Sequence, residues 1–180
     1  MINKLFWDID ETLIHTSLSA FEEGSKFKEF TLPDSAIKYY TIIRPCSKSL
    51  IEYSRDLVGK NNVYILTTST HDYANEINRL AGWGFESDHI LTREDINEHR
   101  YATAYGSSTS VPHELADKNN VLIDNLPPRY NENKMILIGI KSDRYLQIRD
   151  YYGVDYSDET FEKDCKDFLE SKQNTQLDHE

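Results

Sequence analysis

Apolar residues along the chain fall into short runs separated by amphipathic stretches, and this alternation predicts strands joined by helices. Residues 4–10 read as a first strand, aromatic and apolar, ending in carboxylates. Residues 39–43 and 63–66 read as two more, and the runs 121–123 and 135–140 as a further pair. Strands with so little polar interruption suit a parallel sheet buried on both faces. Residues 47–58 are predicted as a helix, with Pro45 tolerated at its start and Gly59 closing it. Residues 71–80 form another, with Tyr73, Ile77 and Leu80 on one face and Gly82 after it. Residues 145–152 and 158–169 are predicted as C-terminal helices. The expected fold class is α/β, a Rossmann-like parallel sheet with helices on both faces.

Two stretches depart from the alternation. Residues 17–35 mix Phe21, Phe27 and Phe30 with charged groups, which suits a short hairpin or flap beside the strand ends. Residues 92–118 carry Gly106-Ser107-Ser108-Thr109-Ser110 in their middle and read as a mobile loop. Neither is long enough for a large cap. The expected division is one domain over residues 1–154, then an acidic C-terminal helix and tail over 155–180.

Composition narrows the classes of function. The 180 residues suit a single core, and 38% hydrophobic with 28% charged residues exclude global disorder. A net charge of −11 opposes general nucleic-acid binding, so nucleic acid enters only as a substrate. Nine of the acidic residues and only three basic ones lie between Asp155 and Glu180, which predicts a solvated helix with a frayed end. Cys46 and Cys165 lack a CxxC or a histidine at ligand spacing, so they are expected as reduced thiols. No apolar run approaches the roughly 20 residues that cross a bilayer, and Met1-Ile2-Asn3-Lys4 does not open a signal peptide. A cytoplasmic protein with no membrane partner is expected, of unspecified oligomeric state.

Three motifs begin where an apolar strand ends, the place where open parallel sheets bind ligands. The first, Asp8-Ile9-Asp10-Glu11-Thr12, sets two carboxylates two residues apart, a pairing that calls for a cation. Oxygen donors in an incomplete cage suit Mg²⁺. The second, Thr67-Thr68-Ser69-Thr70, offers hydroxyls and free NH groups at a helix entrance, fit to hold a phosphate or simply to cap the helix. The third, Asp124-Asn125, ends the apolar run 121–123 with two more oxygen donors ahead of Pro127. Asp8 and Thr67 are 59 residues apart and Thr67 and Asp124 are 57, each room for a crossover unit. Together they point to a phosphate site with a metal.

This order of motifs resembles the haloacid dehalogenase superfamily of phosphotransferases. Within it the chain is most similar to the small phosphatases that act on the C-terminal domain of RNA polymerase II. The likeness runs over residues 4–130 and includes Arg44-Pro45, Tyr73-Ala74, Trp83-Gly84, Arg93-Glu94 and Tyr130. It implies a Mg²⁺-dependent phosphomonoester hydrolase working through an aspartyl-phosphate. Asp8 would be the nucleophile and Asp10 the general acid and base. Asp8 and Asn125 would ligate the metal by side chain, Asp10 by its carbonyl and Asp124 through water. Thr67 and Thr68 would hold the phosphoryl group, and Thr12 would orient the Asp8 loop. The family's phosphate-neutralising lysine is expected upstream of the third motif, yet residues 101–117 hold no Lys or Arg. Lys118, six residues before Asp124, and Arg100, twenty-four before it, are the candidates. His15, His71, Arg44, Arg129 and Tyr130 flank the motifs and are weaker candidates for touching substrate.

The substrate implied is phosphoserine or phosphothreonine in a flexible peptide, because an uncapped cleft admits a polymer. A phosphatase of nucleotides or polynucleotide ends is the alternative within the same chemistry. A non-catalytic phosphopeptide-binding module is the alternative outside it.

Overall fold

The computed structural model describes residues 1–108, 111–154 and 158–175. In chain order its elements are β1 (Leu5–Trp7), β2 (Ile14–Ser17), β3 (Lys28–Thr31), β4 (Lys38–Ile43), α1 (Ser47–Val58), β5 (Val63–Leu66), α2 (His71–Ala81), β6 (Ile90–Leu91), α3 (Arg93–Tyr105), β7 (Val121–Asp124), α4 (Glu132–Ile138), β8 (Tyr145–Gln147) and α5 (Asp158–Asn174).

Side chains of β1 alternate across the sheet, and both faces are covered. Leu5 and Trp7 join Val63, Ile65, Val121 and Ile123 in one core, closed by Leu50 and Ile51 of α1, Tyr73 and Ile77 of α2, and Phe161, Cys165 and Leu169 of α5. Phe6, Leu66 and Leu122 face the other way, onto Ile96 of α3 and Leu137 and Ile138 of α4. Both buried indoles are paired: the NH of Trp7 donates to Ser54 Oγ and that of Trp83 to Ser47 Oγ, each at 3.1 Å. Cys46 and Cys165 are free and buried, and burial pushes the Cys46 thiol up to about 12. Among the described residues no helix is long and apolar enough to cross a membrane.

The five-stranded sheet is parallel throughout, in the order β6-β5-β1-β7-β8. Trp7 stands opposite both Ile65 and Ile123, so the three central strands end level. That register sets the residues after each strand side by side. The predicted flap is a second, antiparallel sheet of order β2-β4-β3, with Ile14 opposite Ile43 and Phe30 opposite Tyr39. Residues 39–43, expected as a strand, therefore belong to the flap and not to the main sheet.

Three expectations are corrected. Residues 135–140 were expected as a strand, but Met135 to Ile138 end α4, with Leu137 and Ile138 buried while Ile136 is exposed. A short apolar run has no period of its own to separate helix from strand. Gly139 ends the helix at φ 74°, where a Cβ would meet Asp117 N at 2.9 Å. The edge strand is β8, within the predicted helix 145–152, where Tyr145 pairs with Leu122. The first half of the predicted loop 92–118 is α3, launched by a capping box in which Thr92 N donates to Asp95 Oδ2 at 2.8 Å. Thr109 and Ser110 of that loop, and residues 155–157 and 176–180 of the predicted tail, lie outside the described residues.

Candidate active site

Regular strand geometry stops at Trp7. Asp8 keeps one sheet bond, its NH donating to Ile123 O at 3.0 Å, and then the chain wraps into a tight turn around Ile9 O, which accepts from the NH groups of Thr12, Leu13 and Ile14. Glu11 closes the turn at φ 59°, a left-handed conformation that costs an L-residue free energy. The fully buried Ile9, Leu13 and Ile14 offset that cost by anchoring the turn in the core. Behind it stands Arg44, 5% exposed, which donates from Nη1 to Thr12 O and from Nε to Asp158, each at 2.9 Å. Its guanidinium lies 3.4 Å from the Phe161 ring centroid, so α5 is tied to the turn through one residue.

Asp8 is 6% exposed. Its Oδ2 accepts from Thr12 Oγ1 at 3.1 Å, and its Oδ1 accepts from Lys134 Nζ at 2.8 Å. The same ammonium donates to Asp124 Oδ2 at 2.7 Å, bridging the ends of β1 and β7. Burial pushes the Asp8 carboxyl up to about 7, with Lys134 pulling it down and Asp124 and Asp10 pushing it further up. Burial alone would lower the Lys134 ammonium, but its two carboxylate partners outweigh that and hold it above the ordinary lysine value.

Asp10 turns toward β5 and α2, where Ser69 Oγ donates to its Oδ2 at 2.7 Å and the Tyr73 hydroxyl to its Oδ1 at 2.6 Å. Thr67 is buried, with Oγ1 accepting from Ser69 NH at 3.1 Å, while Thr68 is exposed and its carbonyl accepts from Arg93 Nε at 2.8 Å. Asp124 accepts from Leu126 NH at 2.8 Å through its other oxygen. Asn125 donates its amide to Asp150 Oδ1 at 3.0 Å, which leaves its carbonyl oxygen 3.4 Å from Thr12 Oγ1. Asp8, Asp10, Thr67, Thr68, Asp124 and Asn125 therefore gather at the carboxyl ends of β1, β5 and β7.

Lys118 and Arg100 do not join them. Lys118 is exposed in the turn before β7, at the strand's amino end, and Arg100 is exposed on α3 beside His99 and Thr103. The cation at the site is Lys134, 2% exposed and ten residues beyond Asp124. The expected lysine lies upstream of Asp124, whereas this one comes after it, on the short helix α4. Its sequence signal is helical: Lys134, Leu137 and Ile138 share one face at spacings of three and four. Of the weaker candidates, Arg44 supports the turn, His15 pairs its Nδ1 with Glu11 at 2.9 Å, and His71 is exposed at the start of α2. Tyr130, with Arg129 over its ring, joins Thr68, Arg93, Asn97 and Lys134 in a cleft of about 300 Å³ beside the site.

The donors fit a hard cation. Among the described residues no three His, Cys, Asp or Glu side chains surround one point. On the family resemblance, a metal would be held by Asp8, the Asn125 carbonyl oxygen and the Asp10 backbone carbonyl, with Asp124 acting through water, and such oxygen donors suit Mg²⁺. One ammonium serves two buried carboxylates here.

A family model described as NLI interacting factor-like phosphatase matches residues 3–178. No curated protein matches the chain. Among solved structures, the chain is similar to a variant of fission yeast RNA polymerase II CTD phosphatase Fcp1 bound to beryllium fluoride, with TM-score 0.54 and 17% identity, covering 96% of this chain and 53% of that one. It is also similar to Fcp1 described as an essential RNA polymerase II CTD phosphatase, with TM-score 0.57 and 16% identity, covering 96% and 49%. The chain spans about half the length of these two structures, and at such identity the likeness is one of fold.

Proposed function

We propose, from the premise that the chain belongs to the NLI interacting factor-like phosphatase family, that it hydrolyses phosphomonoesters through an aspartyl-phosphate on Asp8. The observation that carries the reading is the Lys134 ammonium held between Asp8 and Asp124 at the meeting of two strand ends. A nucleophilic carboxylate has to approach an anionic ester, and a buried, fixed positive charge beside it counters their repulsion.

In the first step Asp8 attacks phosphorus, the bond to the ester oxygen breaks, and Asp10 gives that oxygen a proton. In the second, Asp10 takes a proton from water, whose oxygen attacks the acyl phosphate, releasing inorganic phosphate and restoring Asp8. Thr67, Thr68 and the NH groups entering α2 hold phosphoryl oxygens, and Lys134 balances the charge of Asp8 in both steps. Bound Mg²⁺, held by Asp8, Asn125 and the Asp10 carbonyl, would supply charge stabilisation to the transferring group.

The substrate class proposed is phosphoserine or phosphothreonine in a flexible peptide. Among the described residues the insertion beside the site is the flap of residues 14–43, which leaves the cleft open to a polymer, and both similar structures are described as phosphatases of a polymerase tail. The test sets a phosphopeptide beside nucleoside monophosphates, a 3′-phosphorylated oligonucleotide and p-nitrophenyl phosphate, with Mg²⁺ and with EDTA. The peptide is expected to have the highest kcat/KM, and EDTA to abolish release. A nucleotide preference would replace the substrate assignment, and Mg²⁺-independent binding without turnover would replace the enzyme.

Lys118→Ala and Arg100→Ala are expected to leave kcat/KM within about twofold and stability within about 0.5 kcal/mol, because both side chains are exposed and outside the site. Phosphate-release rates and urea melts of the two variants check this.

A further inference from the structure

The hydroxyl that reaches Asp10 from Tyr73 does not stand alone. Tyr73 OH lies 2.8 Å from Thr16 Oγ1 on β2, Thr16 Oγ1 lies 3.0 Å from Thr41 Oγ1 on β4, and Thr41 Oγ1 donates to His15 O at 3.3 Å. The chain of hydroxyls runs from the carboxyl group of the catalytic turn into the flap and ends on a pure acceptor. The flap also fixes the ring: Phe30 and Tyr39 stack at 5.1 Å, and their centroids lie 5.8 and 6.0 Å from that of Tyr73. Tyr73 is 8% exposed, and burial raises its phenol well above the ordinary tyrosine value, so it remains a donor.

Each hydroxyl carries one proton and can also accept one, so the chain has a direction. Tyr73 OH and Ser69 Oγ hold one oxygen each of the Asp10 carboxyl, at 2.6 and 2.7 Å, and the Thr16 and Thr41 hydroxyls hold Tyr73 OH in turn. The direction in which that carboxyl points is therefore set from the flap through Tyr73.

We infer that Tyr73 is the positioning residue for Asp10, aiming its carboxyl at the ester oxygen, and that Thr16 and Thr41 extend this support into the flap. The inference rests on the hydrolase reading above. It predicts a dependence on the leaving group. An alkoxide leaves only with a proton from Asp10, whereas p-nitrophenolate leaves without one.

The experiment compares kcat/KM of the wild-type chain and Tyr73→Phe, with Mg²⁺, on a phosphoserine peptide and on p-nitrophenyl phosphate. This ratio of constants reports the steps through cleavage of the ester bond and omits the later hydrolysis. Tyr73→Phe is expected to lose about tenfold on the peptide and less than about twofold on the aryl ester. Equal loss on both, or loss on neither, overturns the inference while wild-type turnover keeps the hydrolase reading. A wild-type chain inert toward both esters overturns the two together. If circular dichroism finds Tyr73→Phe unfolded, Thr16→Val decides by the same comparison, with about threefold selective loss expected and an unselective loss overturning it.

Discussion

Asp8→Asn is expected to abolish phosphate release, a loss of at least about 10⁴-fold, because an amide cannot form the acyl phosphate. Intact-mass measurement of acid-quenched enzyme checks the cause as well as the loss: the wild-type chain gains one phosphoryl group and the variant does not. Since Asp8 is 6% exposed, the substitution also touches stability. Asparagine keeps the shape and can still accept from Lys134, but it removes a carboxylate that burial has pushed up to about 7. A carboxyl raised in the folded state binds more protons there than in the unfolded chain, so its contribution falls as pH rises from the ordinary Asp range to about 7. Metal-free Asp8→Asn is therefore expected to melt no lower than the wild-type chain at pH 8. Near-native turnover by the variant would remove Asp8 from the mechanism.

The residues that could be read from the sequence are those whose place follows from a strand. Buried parallel strands are short apolar runs with sharp polar ends, so 4–10, 63–66 and 121–123 located Asp8, Thr67 and Asp124 without knowledge of their contacts. The level register of the three strands then brought them together. Lys134 was hidden because its position depends on a seven-residue helix whose apolar run, Met135 to Ile138, is too short to show a period. The strand that displaces it from the sheet, Tyr145–Gln147, is as short and has one exposed residue. The α3 helix was missed for another reason. Its mean polarity and the glycine and serines after it suggest a loop, although Thr92 and Asp95 already carry a capping box. Tyr73 and Ser69 lay inside the second motif, but their bonds to Asp10 depend on where the turn after β1 aims that carboxyl. No local pattern encodes that direction.

Lys134→Met carries the largest combined effect. Methionine keeps most of the side-chain volume and removes the charge, leaving Asp8 and Asp124 buried without their shared partner. Loss of one partner from a buried ion network costs about 3–5 kcal/mol, and loss of the charge opposing the nucleophile and ester is expected to lower kcat/KM by at least about 10³-fold. The sign of the pH dependence separates this from a packing defect. Lys134 is the group that pulls Asp8 down, so without it the Asp8 carboxyl rises further above about 7. Near pH 5 that carboxyl can stay protonated in the variant, and little of the penalty appears. Above pH 7 the unfolded chain releases the proton freely while the folded chain holds it or carries an uncompensated charge, so the destabilisation grows with pH. Urea melts in EDTA at pH 5 and pH 8 measure the difference. A loss equal at both pH values would mean that Lys134 is held for its packing, and a variant with near-native kcat/KM would mean that another charge serves the ester.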